Sequence, residues 1–329
     1  MRQTLYRWSL NKRVRKLVPG LLLLVITLLL PTPAGLSPAG HRTVALFIFS
    51  VYLWVTETFA LPVTALLAGV GLVVFGIRTP DVAFTAYAND TIFMILGSLI
   101  LAQSLVATRA DRLLALYLLK RFLRTERSLL FGVILISACL ATILPGHGVA
   151  AIMLPLVISL INHTYRDQRA GSPRALVLAV ALGASISGMA TPSGGARNVI
   201  TLGYLRELAG RQISYGQWFA LNWLFPVLLV PLLFGLLAVL FGVRPQPLPG
   251  ARDLFRVEAP SRRQRLALGI LGLTIGLFLA VSDRFGLGTV AIFGAALMFI
   301  LGVVEWEEVA GQVSWGVLYI YGAALALGA

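Results

Sequence analysis

Charge is scarce in this chain, and acid is scarcer than base. Of its 329 residues 58% are hydrophobic and only 12% are charged, whereas a soluble globular chain carries roughly 25% charged residues. A soluble fold is therefore excluded, and the long apolar runs read as an all-α polytopic membrane protein. Cysteine is almost absent. Cys139 stands alone in an apolar run, which rules out a disulfide or cysteine-metal framework and suits a small core residue. Acid is outnumbered 13 to 27, for a net charge of +14. The cations sit in short clusters between apolar runs, not on a basic face with interleaved aromatics, so nucleic acid is not an expected partner.

What is present is apolar sequence with punctuation. Residues 1–42 read as a cytoplasmic N-terminus and first span: six cations and no acid precede Leu17, and Leu17–Leu30 is apolar up to Pro31. A charged leader, a short apolar run and Ala-Gly steps also describe a signal peptide, but a first span serving as its own signal is the expectation here. Spans follow at 43–60, 61–77 and 91–107. Residues 109–127 place apolar side chains between cationic ends and read as an interfacial helix. Residues 128–161 are apolar but break at Leu144-Pro145-Gly146-His147-Gly148. Each arm has about 16 residues where a crossing needs about 20, so a re-entrant hairpin is expected. A broken helix at 174–205 and a span at 218–243 complete a first repeat over 43–243. Trp218, Trp223 and Phe225 there suit interface anchors. Residues 244–265, rich in proline and charge, form a cytoplasmic linker, and 266–329 open a second repeat.

The cations set the orientation. Six precede Leu17, six lie in 109–127, three in 166–174 and six in 244–265. With the N-terminus inside and a hairpin that does not cross, all four clusters are cytoplasmic, as the positive-inside bias requires. The repeat is visible as Val55–Asp81 laid on Val281–Glu307 at a constant offset: Glu57 meets Asp283, Leu61 meets Leu287, Gly76 meets Gly302. With one deletion Gly97 meets Gly322. An odd number of crossings between the copies inverts the second one. Inverted repeats with broken helices and a midplane site mark secondary transporters.

Two stretches could carry chemistry. At the hairpin tip, Pro145, Gly146, His147 and Gly148 expose backbone and one imidazole at membrane depth, where ionisable groups are costly. In Ala184–Ile200, Pro192 removes a donor and Ser193, Gly194 and Gly195 let the backbone leave helical geometry. Such irregular backbone is tolerated in lipid only when buried in protein or lining a polar cavity. Thr191, Ser193, the Gly194–Gly195 backbone and Asn198 offer oxygens to a cation, while a half-helix N-terminus suits an anion. Arg197 either pairs an anionic solute or sits in a polar exit. Glu57 reads as a cap at a kink, and His41 and His163 as surface loop residues. Enzyme chemistry is not expected. Gly183-Ala184-Ser185 has the small-residue serine pattern of rhomboid proteases, yet every histidine precedes Ser185. Neither a metalloprotease HExxH pair nor an intramembrane aspartate pair occurs.

On these residues the chain resembles the divalent anion:sodium symporter family. Trp54, Thr56, Glu57, Pro62, Thr64, Leu66 and Leu67 are similar to its W-x-T-E…P-x-T-x-L-L pattern. Gly188–Asn198 resembles its G-G-M-A-T-P-I-G-T-P-P-N loop, Ala150–Pro155 the segment after its first tip, and Ile213–Phe219 the start of its sixth span. The resemblance implies a symporter of small divalent anions such as sulfate or dicarboxylates, homodimeric when full length, in a bacterial inner membrane. Substrate would lie among Pro145, Gly146, His147, Gly148, Thr191, Pro192, Ser193 and Arg197, with a coupling sodium at Gly146, Gly194, Gly195 and Asn198. Two departures leave proton coupling open. Pro145-Gly146-His147 stands where the family has Ser-Asn-Thr, and Gly195-Ala196-Arg197-Asn198 keeps only the asparagine of Thr-Pro-Pro-Asn. Other readings are an arsenite or sodium/proton carrier of the wider superfamily, or a non-transporting scaffold. By the same resemblance a second hairpin and two spans are expected after Ala329.

Overall fold

The computed structural model describes residues 2–144, 146–165, 171–248 and 259–328. Pro145, much of the basic loop before Arg174 and the middle of the linker lie outside them. No strand occurs among the described residues, and one isolated antiparallel bridge joins Thr125 to Pro247. Four stretches, Pro80–Thr108, Gly146–Thr164, Tyr215–Leu240 and Arg262–Ala280, are long and apolar enough to cross a membrane. The all-α polytopic reading stands.

In chain order the helices are α1 (Arg2–Leu29), α2 (Pro38–Val55), α3 (Leu61–Val74), α4 (Pro80–Thr85), α5 (Asp90–Thr108), α6 (Ala110–Leu119), α7 (Glu126–Ala141), α8 (Gly146–Thr164) and α9 (Gly171–Ser187). They continue as α10 (Ala196–Ala209), α11 (Tyr215–Asn222), α12 (Leu224–Leu240), α13 (Arg262–Ala280), α14 (Ser282–Phe285), α15 (Leu287–Ile300), α16 (Trp306–Ala310) and α17 (Trp315–Gly328). They form two compact units, one of residues 1–92 with 314–329 and one of residues 93–313.

In the first unit, α2 starts where Ser37 Oγ accepts the Gly40 amide at 3.0 Å and Pro38 supplies a helical φ without losing a useful donor. It stops in a Schellman turn. Glu57 takes a left-handed φ of 48°, and the amides of Thr58 and Glu57 bond back to Leu53 and Trp54. That position usually holds glycine, so Glu57 is the cap at the kink. His41, expected in a surface loop, is instead buried in α2: its ring bonds the Thr27 carbonyl and the Thr32 hydroxyl, tying α2 to the end of α1. α17 packs along α3. Gly322 meets Tyr87 there, whose hydroxyl donates to the Ala65 carbonyl at 2.7 Å.

In the second unit, α7 is the buried centre, packed on α8, α9 and α12. The interfacial helix expected over 109–127 ends earlier. α6 passes into a 3-10 turn at Lys120–Phe122, and Thr125 then caps α7 by accepting the Ser128 amide at 3.2 Å. Glu126 and Arg127 therefore belong to the hairpin arm. α7 has 16 residues but α8 has 19, so the arms are unequal and only the first is short for a crossing. The outer end of α7 is tied to α9 and to the end of α12. Ser172 Oγ donates to Glu126 at 2.9 Å, and Arg127 Nε donates to the Val243 carbonyl at 3.0 Å. Burial first, and then the Glu126 carboxylate, hold the Tyr165 hydroxyl well above the ordinary tyrosine range. The linker closes sooner than expected, because Ser261 and Gln264 form a capping box that starts α13 at Arg262. Cys139, expected in the core, is exposed near the end of α7.

Helix bounds follow the repeat. α3 and α15 both have 14 residues and open at the matched Leu61 and Leu287. Both end on a left-handed glycine, Gly76 at φ 61° and Gly302 at φ 63°. In both, the next amide bonds back to the matched carbonyl, Ile77 to Leu72 and Val303 to Met298, at 2.9 Å. α4 and α16 open at matched positions, Pro80 and Trp306. The copies diverge at Asp283, where a four-residue turn closed by Gly286 replaces the Glu57 cap. Packing repeats as well. Gly97 of α5 lies against Ala291 of α15, and Gly322 of α17 lies against Tyr87, which bonds Ala65, the match of Ala291.

A methyl group at Gly97 would sit 2.5 Å from the Ala291 carbonyl carbon, whereas one at Gly269 meets nothing within 4 Å. Gly97→Ala should destabilise the protein by about 1–3 kcal/mol through overpacking. Gly269→Ala, inside α13, should stabilise it by roughly 0.5–1 kcal/mol. Unfolding in detergent followed by tryptophan fluorescence checks both, and equal shifts would remove the close crossing.

Candidate functional site

The second unit brings the hairpin tip and the helix break together. α7 ends at Ala141 and α9 ends at Ser187, so each leaves carbonyls without an intrahelical partner. Thr191, 7% exposed, donates its hydroxyl to the Thr142 carbonyl at 2.5 Å. Ser193 Oγ donates to the same carbonyl at 3.1 Å. Two hydroxyls from the break thus satisfy one carbonyl from the tip. Ser193 Oγ also pairs with the Tyr215 hydroxyl at 2.8 Å. Tyr215 is held by stacking on Phe278, with centroids 4.8 Å apart and planes 5° from parallel.

The break is braced from within. Thr191 Oγ1 accepts the Gly194 amide at 3.0 Å, closing a 3-10 turn over Pro192–Gly194. Asn198 Nδ2 donates to the Gly188 and Thr191 carbonyls at 2.7 and 2.8 Å. Because both partners are acceptors, the amide nitrogen must be the atom facing them, which leaves Oδ1 turned elsewhere. Trp218, expected as an interface anchor, donates Nε1 to the Met189 carbonyl at 3.0 Å. The two glycines do different work. A Cβ on Gly194 would lie 2.7 Å from the Ala141 carbonyl oxygen and 2.9 Å from that of Gly188, so Gly194 permits the close approach of break to tip. Gly195 is extended at φ −165° and caps α10 without any side-chain bond. The first amides of α10 thus lack a side-chain acceptor, which leaves a positive helix end.

Of the expected site residues, Thr191, Pro192, Ser193, Gly194 and Asn198 gather at this junction. Gly146 opens α8 beside Ala184, its Cβ position 3.9 Å from that carbonyl, while Gly148 faces open space. His147 and Arg197 are exposed, and neither side chain forms a hydrogen bond or ion pair among the described residues. Pro145 lies outside them. Sequence reasoning missed Thr142 as the shared acceptor, because a carbonyl has no letter of its own. It also passed over the Tyr215 hydroxyl, for which the tyrosine two residues after Ile213 was the available signal. No group of three or more histidine, cysteine, aspartate or glutamate residues among the described ones is arranged to hold a metal.

Residues 51–329 match a protein-family model described as "Citrate transporter". A protein of Cupriavidus necator named only "Membrane protein" is 24% identical, aligned over 93% of this chain and 64% of its own length. Proteins of Staphylococcus saprophyticus and Staphylococcus aureus named "Sodium-dependent dicarboxylate transporter SdcS" are each 26% identical, over 94% of this chain and 66% of their own. The chain therefore spans just under two thirds of the length of these relatives.

Thr191→Val removes a donor from the Thr142 carbonyl and the acceptor of the Gly194 amide, which should cost about 1–3 kcal/mol. Tyr215→Phe keeps the ring stack and loses one hydroxyl pairing, for roughly 1 kcal/mol. Denaturant midpoints in detergent rank the two, and a valine variant no weaker than the phenylalanine one would show that the tip and break are not latched by this carbonyl.

Proposed function

Because the chain belongs to the citrate transporter family, we propose that the complete protein is a secondary active transporter of small divalent anions, dicarboxylates foremost, driven by a coupling cation. The observation that carries this reading is the junction itself: a hairpin tip and a helix break, both rich in free backbone polarity, joined through the Thr142 carbonyl. An anion is served by the α10 N-terminus, whose cap Gly195 makes no side-chain bond, with Arg197 one position inside it. Oriented amides and a helix end favour negative charge. A guanidinium adds a planar pair of donors suited to a carboxylate. His147 and the Gly146 and Gly148 backbone complete the anion side, with Pro192 in the break beside it. Thr191 and Ser193 spend their hydroxyl hydrogens on Thr142, so they present oxygen lone pairs and not donors to a ligand.

The coupling ion in this reading is sodium, supported by the names of the staphylococcal relatives. The Asn198 Oδ1, left over by the two Nδ2 bonds, and the carbonyls around Gly146, Gly194 and Gly195 are the oxygens it would use, as hard cations prefer. Transport proceeds by alternating access around the tip–break junction, without covalent chemistry. The protein is placed in a bacterial inner membrane as a homodimer, with its N-terminus and cation clusters in the cytoplasm. The cation distribution along the chain supports that orientation.

Uptake of labelled succinate, citrate and sulfate by cells carrying the complete gene, each with and without sodium, tests the proposal. Succinate uptake that falls at least tenfold without sodium is expected. Arg197→Gln should lower it at least tenfold at unchanged protein level in the membrane, with His147→Asn giving a smaller loss. Uptake of none of the three anions would overturn the substrate class, and sodium-independent uptake would overturn the coupling ion alone.

A further inference from the structure

Away from the junction, the second unit holds a cleft of about 1240 Å³ between α6 with its 3-10 turn and the start of α13. Its cations are Lys120, Arg121, Arg124 and Arg265. All four are exposed, and none belongs to the ion pair that Arg263, nearby in α13, makes with Glu308. Among the described residues no acid lines the cleft. Its remaining wall is apolar, with Leu114, Tyr117 and Leu268, and the Arg121 guanidinium lies over the Tyr117 ring at 5.2 Å.

The cleft is built on fixed walls. Arg109 takes a left-handed φ of 57° at the corner between α5 and α6, a conformation that costs a residue with a side chain. Gln264 Nε2 donates to the Thr108 and Arg109 carbonyls at 3.2 and 3.5 Å, so the α13 capping box clamps that corner. The Leu248 amide bonds the Arg124 carbonyl at 3.2 Å, holding the far end. Four exposed cations over an apolar wall, at the ends of apolar helices, do not suit a peptide or a soluble substrate. They match a molecule with a phosphate at one end and acyl chains at the other.

We propose that this cleft is a binding site for an anionic phospholipid. Lys120, Arg121, Arg124 and Arg265 take the headgroup phosphate, and Leu114, Tyr117 and Leu268 take the upper acyl chain. Basic pockets among membrane helices on the cytoplasmic side recognise anionic headgroups by this chemistry, and arginine engages phosphate oxygens in pairs. The site is separate from the tip–break junction and stands whether or not the transport reading holds.

The test is lipid binding by the complete protein in detergent, read by native mass spectrometry and by the thermal unfolding midpoint. Phosphatidylglycerol, phosphatidylcholine and inorganic pyrophosphate are the probes. Phosphatidylglycerol should stay bound and raise the midpoint, with the other two leaving it unchanged. Arg121→Gln with Arg124→Gln should weaken phosphatidylglycerol binding roughly 30-fold, and Arg265→Gln alone roughly fivefold, at an unchanged midpoint without lipid. Arg13→Gln with Arg15→Gln, which removes exposed cations elsewhere, should leave binding intact. Should the double variant fail to fold, Arg265→Gln decides. Equal retention of phosphatidylcholine, full binding by the cleft variants, or equal loss in the Arg13/Arg15 variant would overturn the proposal. A shift produced by pyrophosphate alone would replace the lipid with a soluble anion.

Discussion

The structure depends on one carbonyl. At Thr142 the hairpin arm runs out of helix in an apolar setting, where an unpaired carbonyl is expensive and water cannot be counted on to help. Hydroxyls from Thr191 and Ser193 take it up. That single acceptor joins two interruptions separated by some fifty residues of chain. Everything around it follows the same need. Asn198 satisfies the carbonyls of Gly188 and Thr191, Trp218 satisfies that of Met189, and Tyr215 shares the Ser193 hydroxyl. A loop that would be ordinary in water here has its Gly188, Met189 and Thr191 carbonyls taken up by side chains, which restrains its geometry.

A second constraint is close approach. Gly194 lets the break rest on the end of α7, Gly183 lets α9 pass where an added Cβ would lie 2.8 Å from the Ile134 carbonyl oxygen, and Gly97 lets α5 lie on Ala291. Helices in lipid gain little from a hydrophobic drive between them, so small residues that allow tight packing carry their association. The same device appears in both copies of the repeat, at Gly97 and Gly322. The match in helix bounds and in glycine-capped ends between α3 and α15 is therefore structural as well as textual. The basic cleft beside α6 obeys a different rule. There the side chains are exposed, so they are available to something outside the chain.

Much of this was legible in the letters. Apolar runs fix where helices lie, because the cost of open backbone in lipid leaves few choices. Pro192 with Gly194–Gly195, and Pro145–Gly148, mark the two interruptions because those residues have known backbone consequences. The repeat was legible through Gly76 and Gly302, each a left-handed stop. His41 was misplaced since its neighbours Gly40 and Pro38 suggest a loop, yet they start a helix. Cys139 was misplaced since an apolar run does not say which of its faces is covered. The end of the interfacial helix was misjudged because Thr125 as a cap outweighs the run of like charge around it.

Sequence alone determined that the chain is helical, membrane-bound and interrupted twice, since those properties follow from local chemistry and from the solvent the chain must live in. Only the tertiary structure decided that the two interruptions meet, that the Thr142 carbonyl is the acceptor they share, and that three cations just after α6 and one at the start of α13 face one cleft. Contacts between residues distant along the chain depend on how helices cross, and crossing is set by side-chain packing that no single stretch encodes.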